Sequence, residues 1–297
     1  MKTFITRVVI FALIIIVIFI CLEKVLSKFD EHEYKYKHDY LVNHLNDIKI
    51  LALGHSHIAV GIDMIFLNDS GFNAAIPSRN IYYDAEIVKE FVPKMSNLKT
   101  IILPLGYNFQ YKNEISEKDK YLMFKYWGYN TSGVNFLLNS ELLYGSKSKL
   151  KRLIFPQKVS EIYFDSLGQQ HLPQELNKYY RYEINDLSLF RPKDKNNIQF
   201  IKKIKEIASI CKDNDIRLIV LMMPCYKTYT ELTTTEGISE LYSLVDSIRS
   251  IYPSIEYYDF MKDSRFVMND FFDSSHLNEV GARKFTTILK NEILPNN

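Results

Sequence analysis

Hydrophobic positions run along this chain of 297 residues in three regimes. One unbroken apolar block opens it, short apolar runs alternate with helical stripes after that, and a long middle stretch shows neither pattern. From Val8 to Leu22 every residue is apolar, with Phe4 and Ile5 extending the block across Thr6 and Arg7. That approaches the ~20 residues a helix needs to cross a hydrocarbon core. No small-x-small cleavage site follows it, and Cys21 is preceded by Ile20, so neither a signal peptidase site nor a lipoprotein site is written there. Residues 1–22 are therefore expected to be a single-pass anchor in the cytoplasmic membrane. Lys2 and Arg7 lie before the block, while acidic residues accumulate after Glu23, which places the remainder outside the cytoplasm by the positive-inside bias. Residues 23–46 are polar and rich in Tyr, Lys and His, as expected of a juxtamembrane helix or stalk.

From residue 47 the pattern changes period. Ile48–Leu53 is a buried-type strand ending at Gly54, and Ile58–Leu67 has helical spacing. Phe72–Ile76 predicts a second strand, Tyr82–Val92 a helix stopped before Pro93, and Thr100–Leu105 a third strand with Pro104 near its end. Residues 111–196 lose the alternation and read as a mostly helical insertion. The pattern resumes with a helix over Asn197–Lys212, a strand over Arg217–Met223, a helix over Ile238–Ile251, a strand over Ile255–Tyr258 and a closing helix over Asn278–Lys290. Short apolar strands alternating with helices form a mainly parallel sheet covered on both faces. The fold expected for residues 47–297 is thus a three-layer α/β/α domain with a five-stranded sheet.

Composition narrows the function without naming it. Apolar residues make up 47% and charged residues 24%, enough to bury a core. A net charge of +2 and the absence of a long Lys/Arg run give no electrostatic footprint for nucleic acid. Cys21, Cys211 and Cys225 have no metal-ligand spacing, and the last two read as half-buried free thiols.

In such sheets functional residues collect at the carboxyl ends of the strands, and Ser56, Ser78 and Asn108 all follow predicted strands. Gly54-His55-Ser56-His57 occupies the first strand-to-helix turn, where a helix amino end offers N–H groups to a developing oxyanion. A serine there can equally be a helix cap. Asp273-Ser274-Ser275-His276 precedes the last helix, and a carboxylate three residues before a histidine can hold Nδ1 and leave Nε2 free to take a serine's proton. Here too, capping by Asp273, Ser275 or Asn278 is the plainer alternative.

The two ends together resemble the SGNH, or GDSL-type, hydrolases, whose fold is flavodoxin-like. Phe72-Asn73-Ala74-Ala75-Ile76-Pro77-Ser78 is similar to the second block of that family, and Leu105-Gly106-Tyr107-Asn108 to the third, Gly-x-Asn. The resemblance implies Ser56 as nucleophile, His276 as general base and then acid, and Asp273 as the group orienting His276. It implies an oxyanion hole from the N–H groups of Ser56 and Ser78 with the Asn108 side chain. His55 stands where the family usually has an acidic residue or Asn, and Ser78 where it has Gly. The closing stretch Phe271–Ala282 is similar to membrane-anchored bacterial proteins that acylate or deacylate envelope polymers. The implied partners are a cell-envelope glycan or acylated polymer and a membrane-bound acyl-donor protein, with no cofactor; a non-catalytic glycan-binding or scaffold domain is the alternative. A zinc cluster opening with His55 and His57 would need Asp and His at positions 59 and 60, which hold Ala and Val, so no metal is expected. The GxSxG elbow of ordinary α/β-hydrolases fails at Ile58.

Overall fold

The computed structural model describes residues 2–28, 33–67, 70–107, 115–131, 163–172 and 198–294. They belong to two compact units: residues 1–36 with 116–160, and residues 37–115 with 161–297.

In the first unit the apolar block forms one helix, Lys2–Lys28. Its segment Thr3–Val25 is long and apolar enough to cross a membrane, with a mean hydropathy of 3.1 and none of it buried. A second helix, Glu117–Trp127, starts at Ser116, whose hydroxyl accepts from the Asp119 N–H, and ends at Gly128 in the left-handed conformation. Tyr34 donates its hydroxyl to Asp119 at 2.6 Å.

The second unit is a three-layer α/β/α domain. Its strands are β1 (Ile50–Ala52), β2 (Gly71–Asn73), β3 (Thr100–Pro104), a small antiparallel pair β4 (Tyr163–Phe164) and β5 (Gln170–His171), β6 (Arg217–Met222) and β7 (Ile255–Asp259). The central sheet runs β2-β1-β3-β6-β7, all neighbours parallel. β1 and β3 are buried throughout, which is why they read as continuous apolar runs.

Alternate strand residues face opposite layers. Ile50, Ala52, Ile102, Ile219 and Leu221 join one core with Ile58 and Ile62 from the first turn region and Phe285 and Leu289 from the end of the chain. The helix Ile198–Asp213 packs on β6 and on the helix Ile81–Phe91 in the other layer. Its buried residues Phe200, Ile204, Ile207, Ala208 and Cys211 recur at helical spacing. Of the cysteines, Cys211 is buried and Cys225 half-buried, both free thiols.

From β1 the chain runs to β2 on one side, then crosses back to β3 on the other. Such a reversal opens a crevice at the carboxyl ends of the two strands where the connections diverge. The turn after β1 carries Ser56 and the turn after β3 carries Gly106-Tyr107. The strand order alone therefore puts the Gly-His-Ser-His turn at the mouth of the crevice.

Within the expected insertion, the described residues hold the helix Glu117–Trp127 and the β4–β5 hairpin. The hairpin turn is bonded to β2 and to the helix Ser56–Gly61: the Asn73 N–H donates to Leu167 O at 2.8 Å, and Gln169 Nε2 to Val60 O at 3.2 Å. Asp165 and His171 pair across it at 3.0 Å. In the segment expected as a stalk, helix Glu33–Asn43 carries Lys37 and Leu41, both fully buried.

Candidate active site

Two serine and carboxylate positions that could have been helix caps are not. His55 is the residue that caps the helix Ser56–Gly61, its Nδ1 accepting from the His57 N–H at 3.4 Å. Ser56 is the first helical residue, and its hydroxyl is not used for capping. At the other end of the chain, Asn278 caps the helix Glu279–Ile288, accepting from the Gly281 N–H at 3.0 Å. Asp273 is free of that task and instead closes its own short loop, accepting from the backbone N–H groups of Ser275 and His276, each at 2.8 Å.

That loop is pinned from several sides. The Phe272 N–H donates to His276 O at 2.8 Å, Phe271 and Leu277 form an antiparallel bridge, and the Tyr226 N–H donates to Ser274 O at 2.9 Å. The result brings together residues 220 positions apart: His276 Nε2 lies 2.8 Å from Ser56 Oγ. His276 Nδ1 lies 2.8 Å from Asp273 Oδ2 and 3.0 Å from Oδ1. With Nδ1 donating to the carboxylate, Nε2 is left as the acceptor for the serine hydroxyl. Burial raises the Asp273 carboxyl, but the His276 hydrogen bond and charge, with the two backbone N–H groups, outweigh it and hold it below the ordinary carboxylate range. Asp273 is therefore ionised at neutral pH.

Ser78, expected as an oxyanion donor, lies on a second turn. Ile76-Pro77-Ser78-Arg79 closes with the Arg79 N–H donating to Ile76 O at 3.1 Å, and Ser78 has φ 65°. Proline second and positive φ third are the marks of a type II turn, a conformation that favours Gly or Asn at the third position. Ser78 thus adopts a backbone conformation that favours glycine, and it is exposed. Its N–H takes no part in the turn's own hydrogen bond. Asn108, the third expected donor, lies outside the described residues.

Gly54 is held by two constraints. Its φ is 112°, and a Cβ there would meet Pro104 Cδ at 2.3 Å. Its carbonyl accepts from the Ile76 N–H at 3.0 Å, so the turn that carries Ser56 and the second turn are bonded directly.

His57, in the first turn of the helix Ser56–Gly61, packs edge-on against His276 with ring centroids 4.8 Å apart, and against His55 at 4.9 Å. Burial, then the charges of His276 and His55, push its pKa well below 6.5. The native state therefore resists a proton that the unfolded chain accepts. Stability is unaffected above about pH 6.5 and falls as pH drops below it, by up to about 1.4 kcal/mol per pH unit for one such group. Thermal melting followed between pH 7.5 and 5 should show this decline, and His57→Phe should flatten it. An unchanged slope in the variant would assign the decline elsewhere. Among the described residues no group of three or more His, Cys, Asp or Glu side chains is placed to hold a metal ion.

No family model and no curated protein matches the sequence. Solved structures similar to it include a GDSL-like lipase from Bacteroides thetaiotaomicron, 11% identical, covering 90% of this chain and 100% of that one with a TM-score of 0.43. Another is a catalytic mutant of an acetylxylan esterase from Geobacillus stearothermophilus, 9% identical, covering 82% of this chain and 94% of that one with a TM-score of 0.39. At this level of identity and superposition the likenesses assign neither activity nor substrate to this chain.

Proposed function

We propose that the protein is a membrane-anchored, serine-dependent enzyme of SGNH type. On this reading it cleaves or transfers an ester-linked acyl group on a cell-envelope polysaccharide. The observation that carries the proposal is the unbroken Ser56–His276–Asp273 relay, with 2.8 Å at each of its two links.

In the first half-reaction Ser56 Oγ attacks the ester carbonyl while His276 Nε2 takes the hydroxyl proton. Negative charge then gathers on the carbonyl oxygen, facing the N–H groups of Ser56 and Ser78 and, by the family resemblance, the Asn108 side chain. His276 returns the proton to the departing alkoxide as the C–O bond breaks, leaving an acyl group on Ser56. In the second half-reaction His276 deprotonates water or a sugar hydroxyl as it attacks the acyl carbonyl, then passes that proton to Ser56 Oγ as the bond from Oγ to the acyl carbon breaks. Asp273 holds the imidazole in one tautomer and stabilises the imidazolium throughout. The steps balance without a cofactor.

The apolar helix Lys2–Lys28 supports a place in the cytoplasmic membrane with the catalytic unit outside, beside its polymer and a membrane-bound acyl-donor protein. Water or acceptor decides between hydrolysis and transfer, and that depends on how well the crevice excludes water. Mass spectrometry of envelope glycans from a deletion strain separates the two. Lost acyl groups identify a transferase and surplus ones an esterase, whereas unchanged acylation would contradict the proposed substrate.

A further inference from the structure

Behind the crevice lies a charged pair that the relay does not use. Arg79 Nη2 is 2.6 Å from Asp84 Oδ1, with side-chain exposures of 0% and 1%. Arg79 is the last residue of the turn that presents Ser78. Asp84 sits in the first turn of the helix Ile81–Phe91, which Asn80 caps by accepting from the Tyr82 N–H at 2.9 Å. The same Asp84 Oδ1 accepts from the Gly54 N–H at 3.0 Å. One carboxylate oxygen therefore ties the turn that carries Ser56 to the turn that carries Ser78, and both turns have left-handed backbones. A second buried cation serves the same segment: Lys37 donates its ammonium to Ala75 O.

Burial on this scale is expensive for a guanidinium, and among the described residues Arg79 Nε, Nη1 and Nη2 all lack a well-formed hydrogen bond, so the contact with Asp84 is an ion pair. A buried ion pair is rarely the cheapest way to hold two loops together, since apolar side chains of similar volume usually do as well. What it adds is a fixed point, because one oxygen both accepts from the Gly54 N–H at 3.0 Å and lies 2.6 Å from Arg79 Nη2. Resting on the serine-enzyme reading above, we propose that the Arg79–Asp84 pair is a positioning device. It sets the spacing between the Ser56 and Ser78 N–H groups that receive the oxyanion.

The test replaces the pair by apolar groups of similar size, R79M/D84L, which leaves no lone buried charge. Labelling of Ser56 by a fluorophosphonate should slow about 10- to 100-fold, the range expected when an oxyanion donor is displaced rather than removed. The variant should also lose much of the enzyme's preference for p-nitrophenyl acetate over the corresponding thionoester, a ratio that reads oxyanion donors and not stability. Amide exchange should quicken together at residues 53–57 and 76–80. A folded variant with wild-type labelling rate, or one slowed without any change in thionoester preference, overturns the proposal. If R79M/D84L does not fold, D84E keeps the charge and moves the oxygens by one methylene. It should slow labelling with little change in melting temperature, and a wild-type rate there is equally fatal. Wild-type protein that never labels removes the serine-enzyme reading instead. Exchange in the two turns then decides the positioning claim by itself, since it overturns the claim if residues 53–57 stay protected.

Discussion

Ser56→Ala should lower turnover of an activated ester such as p-nitrophenyl acetate by about 10⁵- to 10⁶-fold, the scale seen when a triad nucleophile is removed. The size follows from the geometry. Ser56 Oγ is the group His276 Nε2 contacts, and without it neither the attack nor the covalent intermediate exists. Ser56 does not cap its helix, a task that falls to His55, so the variant should melt within a degree or two of wild type. A folded Ser56→Ala protein that keeps more than a hundredth of the wild-type rate would mean that another residue does the chemistry.

Asp273→Asn should cost about 10³- to 10⁴-fold in kcat, with a smaller effect on KM. An asparagine oxygen can still accept from the N–H groups of Ser275 and His276, so the loop should keep its shape. What changes is the imidazole. An amide NH₂ turned towards Nδ1 favours the tautomer with the proton on Nε2, where it can no longer accept from Ser56. The charge that steadies the imidazolium is gone as well. Steady-state kinetics on Asp273→Asn, with circular dichroism to show the fold, checks this. A loss below tenfold would demote Asp273 to a loop constraint.

Much of this site was legible in the sequence because its parts lie at the ends of apolar runs. Strands expected at Ile48–Leu53 and Thr100–Leu105 form over Ile50–Ala52 and Thr100–Pro104, and the helix expected over Asn197–Lys212 forms over Ile198–Asp213. Ser56 and the Asp273–His276 pair were visible as polar residues in turns flanked by hydrophobic periodicity, and the structure brings them together.

Other features leave no such mark. β4 and β5 are two residues each, too short for any alternation to register. Arg79 and Asp84 stand five positions apart across a turn and a helix start, a spacing that reads as ordinary surface charge. Their importance lies in burial, which depends on how β1, β2 and the helix Ile81–Phe91 pack. His57 is similar: its packing on His276 is set by the return of a loop 219 residues later, not by anything local.

The most direct measurement is covalent. Purified protein treated with a fluorophosphonate should take up one phosphonyl group, and mass spectrometry of the digest should place it on the peptide containing Ser56. Ser56→Ala should not label, and His276→Ala should label far more slowly. Folded protein that stays unmodified, or a label found on a different residue, would contradict the claim that Ser56 is a nucleophile activated by His276.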